Sequence, residues 1–189
     1  MVVLARPHAR YRRSYLRAHD EFLEAREGHR DGEGAWVEPA DAGGYPGAAF
    51  SRAELETDEG FARLVRFRLD RSLEDTPRPT GHVPSTVYWI GGDDPAEYLG
   101  SLSIRHSLTP FLRDVAGHVG YSVRPGARRR GVATEALRLA LPEAAALGLD
   151  RVLVTCDTAN VASAKVIEAN GGVLEDVRGV KRRYWVATT

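Results

Sequence analysis

Several residue types and patterns are scarce in this 189-residue sequence, and each scarcity excludes a class of protein. Cys156 is the only cysteine, so no disulfide can form within the chain. The 26 basic and 26 acidic residues cancel, which argues against broad nucleic-acid binding, because that binding needs a basic excess. No apolar run approaches membrane-spanning length, and the first residues lack the apolar core of a signal peptide. The sequence predicts a soluble, cytoplasmic protein with no membrane or nucleic-acid partner and no metal site.

One stretch, residues 118–147, has the pattern of a strand, a basic loop and a helix. Residues 118–123 alternate weakly, as in a strand, and residues 135–141 are strong helix formers. The first N–H groups of a helix have no intrahelical acceptor, and the helix dipole adds positive charge there. Gly131 and Ala133 keep side chains away from that backbone, while residues 128–130 are all arginine. The pattern predicts an anion site, with phosphate as its ligand.

The loop does not match the common nucleotide-binding patterns. A P-loop needs Gly-Lys-Ser/Thr at the end of its turn, and a dinucleotide fingerprint needs three spaced glycines, of which only Gly131 is present. The pattern Arg128-x-x-Gly131-x-Ala133 instead resembles the Arg/Gln-x-x-Gly-x-Gly/Ala signature of the GNAT N-acetyltransferase superfamily. In that superfamily, the amides of this loop hold the pyrophosphate of acyl-coenzyme A.

A second motif lies one helix and one strand further along the chain. Residues 151–156 are apolar and β-branched, as in a strand. Asn160-x-x-Ser163 follows, with a helix that ends at Gly171, and this segment resembles the second GNAT motif. Its pattern is closest to the ribosomal-protein-alanine acetyltransferase branch. The resemblance covers about residues 83–187.

The resemblance implies an α+β protein with the GNAT fold over residues 1–189 as one domain: a central mixed, mostly antiparallel sheet, splayed at the acyl-CoA site and flanked by helices. The residues themselves predict helices at 12–27, at 51–72 with Ser51 as the N-cap, and at 135–147, the last kinked or split by Pro142. They also predict antiparallel pairs of strands at 84–90 with 97–106, and at 173–177 with 183–187. Residues 28–47 are predicted to be a long loop. In it, Trp36 and Tyr45 either pin the loop to the surface or form a wall of the substrate pocket.

The resemblance also assigns the cofactor contacts. The backbone at residues 121–123 would bond the pantetheine amides and the thioester carbonyl. Residues 128–134 would hold the pyrophosphate, and Asn160 would bond the pantetheine arm. The implied acetyl-CoA site therefore comprises Tyr121, Ser122, Val123, Arg128, Arg129, Arg130, Gly131, Val132, Ala133, Thr134, Asn160 and Ser163.

Two residues are predicted to be catalytic. Many members of the superfamily place a tyrosine seven residues after the motif asparagine, as the acid for the leaving thiolate, but Ile167 occupies that position here. Ser163 is the candidate for this role; the alternative is a helix N-terminal hydroxyl that bonds only backbone. His118 is the candidate general base, because histone-type relatives carry a glutamate base there and histidine has a suitable ordinary pKa. The alternative is a sheet histidine with a satisfied hydrogen bond.

These features predict an enzyme that transfers acetyl from acetyl-CoA to a primary amine by direct attack in a ternary complex. The acceptor is either a small molecule or a protein N-terminus. Two alternatives stay open: a non-catalytic acyl-CoA sensor, and a nucleic-acid-binding module that uses the arginines at 128–130. The resemblance further implies a homodimer, because GNAT-like enzymes often pair through their last strands or edge helices.

Overall fold

The computed structural model describes residues 1–25 and 37–189, where a seven-stranded mixed sheet lies between two groups of helices. The strands are β1 (Val3–Ala5), β2 (Val37–Glu38), β3 (Ala48–Ala49), β4 (Ser85–Gly91), β5 (Tyr98–Arg105), β6 (Val119–Val123), β7 (Arg151–Asp157), β8 (Val173–Arg178) and β9 (Lys181–Ala187). The helices are α1 (Arg12–Glu24), α2 (Arg52–Leu55), α3 (Asp58–Asp70), α4 (Pro110–Val115), α5 (Val132–Ala146) and α6 (Val161–Ala169).

The large sheet has the order β1-β4-β5-β6-β7-β9-β8. Its neighbours are antiparallel except for β6 and β7, which are parallel. Strands β2 and β3 form a separate antiparallel pair. The predicted fold class, a mixed and mostly antiparallel sheet flanked by helices, is confirmed.

Alternating side chains of β4 pack into two separate hydrophobic cores. Val87 and Trp89 lie with aromatic and aliphatic residues of α1 and α3, whereas Tyr88 and Ile90 lie with small and aliphatic residues of α5 and α6. Successive side chains of a strand point to opposite faces, so a strand covered on both sides must be apolar throughout. This requirement explains why the chain from Thr86 to Ile90 is a continuous β-branched and aromatic run.

The observed helices differ from the predicted ones at their ends. Ser51 caps α2 with a complete capping box, as predicted, but Thr57 then caps α3 and divides the predicted helix in two. Helix α4 was not predicted; Thr109 caps it through the Leu112 amide. Pro142 does not split α5, because its exposed position leaves the unmatched backbone carbonyl to solvent.

The predicted loop at residues 28–47 is only partly described. Trp36 lies outside the described residues, as does the predicted end of the first helix at Glu27; the described part of α1 ends at Glu24. Within the described part, β2 pairs with β3, so the segment contains a short strand. Tyr45 is buried and donates its hydroxyl to Glu38 Oε2 at 2.8 Å. This contact favours the first interpretation of Tyr45, as a residue that pins the segment.

The junction of β6 and β7 creates the cleft in the sheet. The two strands share one register pair, Val119 with Val154. Gly117 precedes that pair at φ 65°, and a Cβ atom there would lie 2.3 Å from the Leu153 carbonyl oxygen, so only glycine permits this close approach. Beyond Val119, β6 continues along β5 while β7 continues along β9. The strands therefore separate, and the gap opens towards the loop before α5.

Candidate active site

The loop between β6 and α5 gathers backbone N–H groups at a helix N-terminus. Pro125–Ala127 forms a 3-10 turn, after which Arg129 and Gly131 adopt left-handed backbone with φ of 60° and 76°. Gly131 is the N-cap of α5, and within the described chain no side chain caps the first turn there. A Cβ atom at Gly131 would meet no described atom within 4 Å, so open space lies above this backbone. Such loops at helix N-termini bind anions.

The three consecutive arginines of the loop, at residues 128–130, have different environments. Arg128 donates from Nε to the Val123 carbonyl at 2.9 Å, and its guanidinium carbon lies 5.6 Å from the centre of the Phe22 ring. Arg128 therefore fastens the loop to β6 and α1. Arg129 and Arg130 are exposed beside the helix N-terminus. These two side chains supply the positive charge that a ligand at the helix terminus would meet.

The backbone of β6 faces the gap at alternate residues. Arg124 donates its backbone N–H to the Leu99 carbonyl of β5 at 2.8 Å. Because backbone groups of an antiparallel strand alternate between its two sides, Ser122 also faces β5, whereas Tyr121 and Val123 face the side of β7. Beyond Val119, β7 has moved away from that side. An extended ligand in the gap can therefore bond the backbone of Tyr121.

A pair of hydroxyls bridges the two sides of the gap. The Tyr121 hydroxyl, on β6, lies 2.7 Å from Ser163 Oγ in the first turn of α6. The Ser163 amide donates to Asn160 Oδ1 at 3.0 Å, so the Asn160 side chain caps α6. Both Tyr121 and Ser163 are partly buried. The predicted serine and a tyrosine from the opposite strand thus form one polar unit at the gap.

Cys156 is buried next to Ser163. Burial raises the pKa of its thiol, and a hydrogen bond with Ser163 opposes that rise. A buried thiol with a raised pKa is mostly protonated at neutral pH and is a poor nucleophile. The geometry favours a packing role for Cys156 in β7.

His118 lies at the closed end of the gap. Its Nδ1 accepts the Leu153 amide at 2.9 Å, and its own amide donates to the Leu153 carbonyl at 2.6 Å. The residue is 6% exposed, and burial, with Arg105 and Arg113 adding to it, lowers its pKa from 6.5 to about 4. A neutral imidazole used as a backbone acceptor supports the sheet where the two strands join. This position favours the structural interpretation of His118 over the predicted general base.

The predicted cofactor residues occupy the end of β6, the following loop, and the first turns of α5 and α6. Asn170 Nδ2, at the end of α6, donates to the Thr134 carbonyl at 3.2 Å and joins the two helices. Sequence reasoning missed the part played by the Tyr121 side chain and by two residues of α1, Glu21 and Phe22, that contact the loop. No local pattern marks these contacts, because Tyr121 and Ser163 are 42 residues apart and Glu21 and Arg124 are 103 residues apart.

The described part of the chain has neither a metal-binding cluster nor a membrane-spanning helix. Residues 1–25 and 37–189 contain no group of three or more His, Cys, Asp or Glu side chains arranged to hold a metal ion. In the same part of the chain, every helix is too short or too polar to cross a membrane.

Solved structures with the same fold are known. The chain superposes on RimJ of Mycobacterium smegmatis in complex with CoA-disulfide, with a TM-score of 0.63, 18% identity, and coverage of 98% of this chain and 81% of that one. It superposes on the microcin C7 self-immunity acetyltransferase MccE, in complex with acetyl-CoA and AMP, with a TM-score of 0.59, 12% identity and coverage of 98% and 92%. Ribosomal-protein-S5-alanine acetyltransferase of Vibrio fischeri gives a TM-score of 0.53, 19% identity and coverage of 99% and 92%.

The chain also matches the sequence model of a protein family, although no curated protein matches it at a significant level. The model of the acetyltransferase (GNAT) domain matches residues 38–173, which span β2 to the start of β8 and include both sequence motifs. The match extends over most of the chain and agrees with the fold. The chain therefore belongs to the GNAT acetyltransferase family.

Proposed function

We propose that this protein transfers an acetyl group from acetyl-CoA to a primary amine by direct attack in a ternary complex. The observation that carries the proposal is the gap between β6 and β7, which opens directly onto the backbone site before α5. A thioester lying in the gap would have its carbonyl beside β6, while its pyrophosphate reaches the helix N-terminus. Neighbours that share the fold were solved with acetyl-CoA or a CoA compound.

Each part of the donor has a proposed partner. The pyrophosphate lies against the N–H groups of residues 131–134, with Arg129 and Arg130 beside it. The pantetheine arm bonds the backbone of Tyr121 and the side chain of Asn160. Preorganised N–H donors require no rearrangement during the reaction, so they favour the developing negative charge on the carbonyl oxygen.

The chemical step needs a neutral amine and a route for one proton to the thiolate. The amine nitrogen bonds to the thioester carbon, the carbon–sulfur bond breaks, and the excess proton on nitrogen is lost to solvent. Ser163 donates its hydroxyl proton to the leaving sulfur, and the hydrogen-bonded Tyr121 hydroxyl replaces it. Tyr121 then recovers a proton from solvent, which balances the proton that the amine lost. The pair therefore assumes the role that a single tyrosine plays in relatives with tyrosine at the position of Ile167.

The acceptor class includes protein N-termini. Two neighbours of the same fold are described as a ribosomal L7/L12 alpha-N-protein acetyltransferase and as an enzyme that modifies the N-terminal serine of that protein. Small primary amines belong to the same class of acceptors, because the attack on the thioester requires only a neutral primary amine.

An amine panel tests the proposed function. The panel contains free amino acids, a polyamine, an aminoglycoside and short peptides that begin with alanine or serine; free thiol release from acetyl-CoA is measured. We expect turnover on at least one amine. Gly131→Glu is the control, because its carboxylate would occupy the open space over the helix N-terminus and abolish that turnover. Tight acetyl-CoA binding without turnover on any amine would contradict catalysis and support the sensor alternative.

Substitutions at the hydroxyl pair test the route of the proton. A positioned general acid contributes about 10²–10⁴-fold, so Ser163→Ala is expected to lower kcat by about 100-fold. Tyr121→Phe keeps Ser163, the direct proton donor to the sulfur. The decrease in kcat should therefore be smaller, about tenfold. The measurement is steady-state kinetics on the best acceptor, with acetyl-CoA affinity measured by calorimetry. A loss confined to the KM for acetyl-CoA would make the pair a binding element instead.

The position of His118 predicts a specific dependence of stability on pH. Its folded pKa is depressed, so the unfolded state binds the proton more readily, and the stabilisation is lost as pH falls from 6.5 towards 4. The loss over that range is up to about 3 kcal/mol. His118→Gln lacks the Nδ1 acceptor of the Leu153 amide, so it should be less stable than wild type at pH 7.5. Because glutamine does not titrate, its stability should fall less than that of wild type between pH 7.5 and pH 5, as measured by urea unfolding.

The exposed His82→Gln variant serves as the control for that experiment. The activity per folded molecule of His118→Gln should keep the wild-type pH profile. A stable His118→Gln variant with a flattened acidic limb of kcat/KM, where wild-type activity rises with pH, would restore His118 as the general base.

A further inference from the structure

We propose that Glu21 of α1 is a positioning residue for the cofactor loop, defined here as residues 124–131. The inference rests on the proposed function, because it concerns the affinity of that loop for the pyrophosphate of acetyl-CoA. Glu21 lies more than a hundred residues from the loop in sequence and makes three hydrogen bonds to it.

The Glu21 carboxylate contacts two points at the start of the loop. Its Oε2 accepts from Arg124 Nε and from the Gly126 backbone N–H, each at 3.0 Å, and its Oε1 accepts from the second nitrogen of the Arg124 guanidinium. The hydrogen bonds from Arg124, aided by the one from Gly126, lower the pKa of Glu21. The carboxylate is therefore ionised at neutral pH, and both of its oxygens are used by the loop.

The Arg124 side chain cannot move out to contact a ligand, because other hydrogen bonds hold it inside the fold. The residue is 8% exposed, and its Nη1 donates to Ser14 Oγ at 3.2 Å and to the Tyr98 carbonyl at 3.1 Å. Ser14 itself accepts the Tyr98 amide at 3.0 Å. The network joins α1, β5 and the end of β6, and Glu21 extends it to the Gly126 amide.

The neighbouring residue of α1 contacts the middle of the loop. The Phe22 ring lies under the Arg128 guanidinium, which in turn bonds the Val123 carbonyl. Two consecutive residues of α1 thus contact both ends of the segment between Arg124 and Arg128. This segment leads directly into the left-handed residues Arg129 and Gly131, so its position fixes where the anion-binding N–H groups point.

The charges of the loop make this support necessary. The loop contains no acidic residue and four arginines, Arg124, Arg128, Arg129 and Arg130. The positive charges of these arginines repel one another before an anion binds. Loss of the Glu21 charge would have two opposite effects: a more positive site, which favours the pyrophosphate, and a displaced loop, which disfavours it. The second should dominate, because Arg124 is buried and would lose its charged partner, whereas the site itself is open to water and screened.

The test compares two neighbouring residues of the same helix. Glu21→Gln removes the charge that holds the loop. Asp20→Asn is the matched control, because Asp20 also accepts two hydrogen bonds from one arginine, Arg52, but that arginine belongs to α2. Calorimetry with coenzyme A well below the unfolding temperature gives the dissociation constants, and thermal unfolding without ligand gives the stabilities.

We expect Glu21→Gln to bind coenzyme A roughly tenfold more weakly than wild type, the order expected for one lost charge-assisted hydrogen bond. Asp20→Asn should bind coenzyme A as tightly as wild type does, even if its stability falls by as much as that of Glu21→Gln. A merely structural role for Glu21 would lower the unfolding temperature and leave the affinity unchanged. Should Glu21→Gln fail to fold, Glu21→Asp, which keeps the charge but shortens the reach to Gly126, is expected to weaken binding as well.

The possible results separate the inference from the function on which it rests. Unchanged or tighter binding by Glu21→Gln, or equal weakening in both variants, would overturn the positioning role while the cofactor site stands. Binding that persists in Gly131→Glu, or a wild-type protein that does not bind coenzyme A, would instead overturn the proposed site, and the role of Glu21 with it.

Discussion

The separation of β6 from β7 is the constraint on which the rest of the site depends. A parallel pair in the middle of a sheet ordinarily satisfies every backbone group between its strands, yet this pair keeps one register contact, Val119 with Val154. The backbone beyond that point needs a polar partner other than β7. In the proposed function, a thioester with an amide-bearing arm would supply such a partner beside the helix N-terminus.

Separate contacts hold the two ends of the opening. At the closed end, Gly117 permits the close approach and His118 bonds both backbone groups of Leu153. At the open end, α1 holds the loop through Arg124 while Tyr121 and Ser163 meet across the gap. Two hydrophobic cores, one on each face, keep the surrounding strands in place. The site is therefore built on rigid elements, the arrangement that fixes a reacting group most accurately.

The parts of this structure that local chemistry determines could be predicted from the sequence. The cap at Ser51 and the loop motif at residues 128–133 depend on residues a few positions apart, and the hairpin of β4 and β5 joins strands that follow each other in the sequence. The rest depends on tertiary contacts. The environment of His118 is set by Leu153, 35 residues away, so its sequence position indicated a base where burial favours a structural role. The contact of Glu21 with the loop has no local signal at all.

Amide hydrogen exchange with and without coenzyme A tests the central claim most directly, because it reports the backbone groups themselves and needs no acceptor. The account predicts slower exchange on ligand addition at Tyr121 and Val123 and at residues 131–134, where the gap meets the first turn of α5. Amides at residues 89–91 of β4, where β1 and β5 pair with the strand on its two sides, should not change. Unchanged exchange at the gap and at the helix N-terminus under saturating coenzyme A, with protection appearing elsewhere in the chain, would contradict the account.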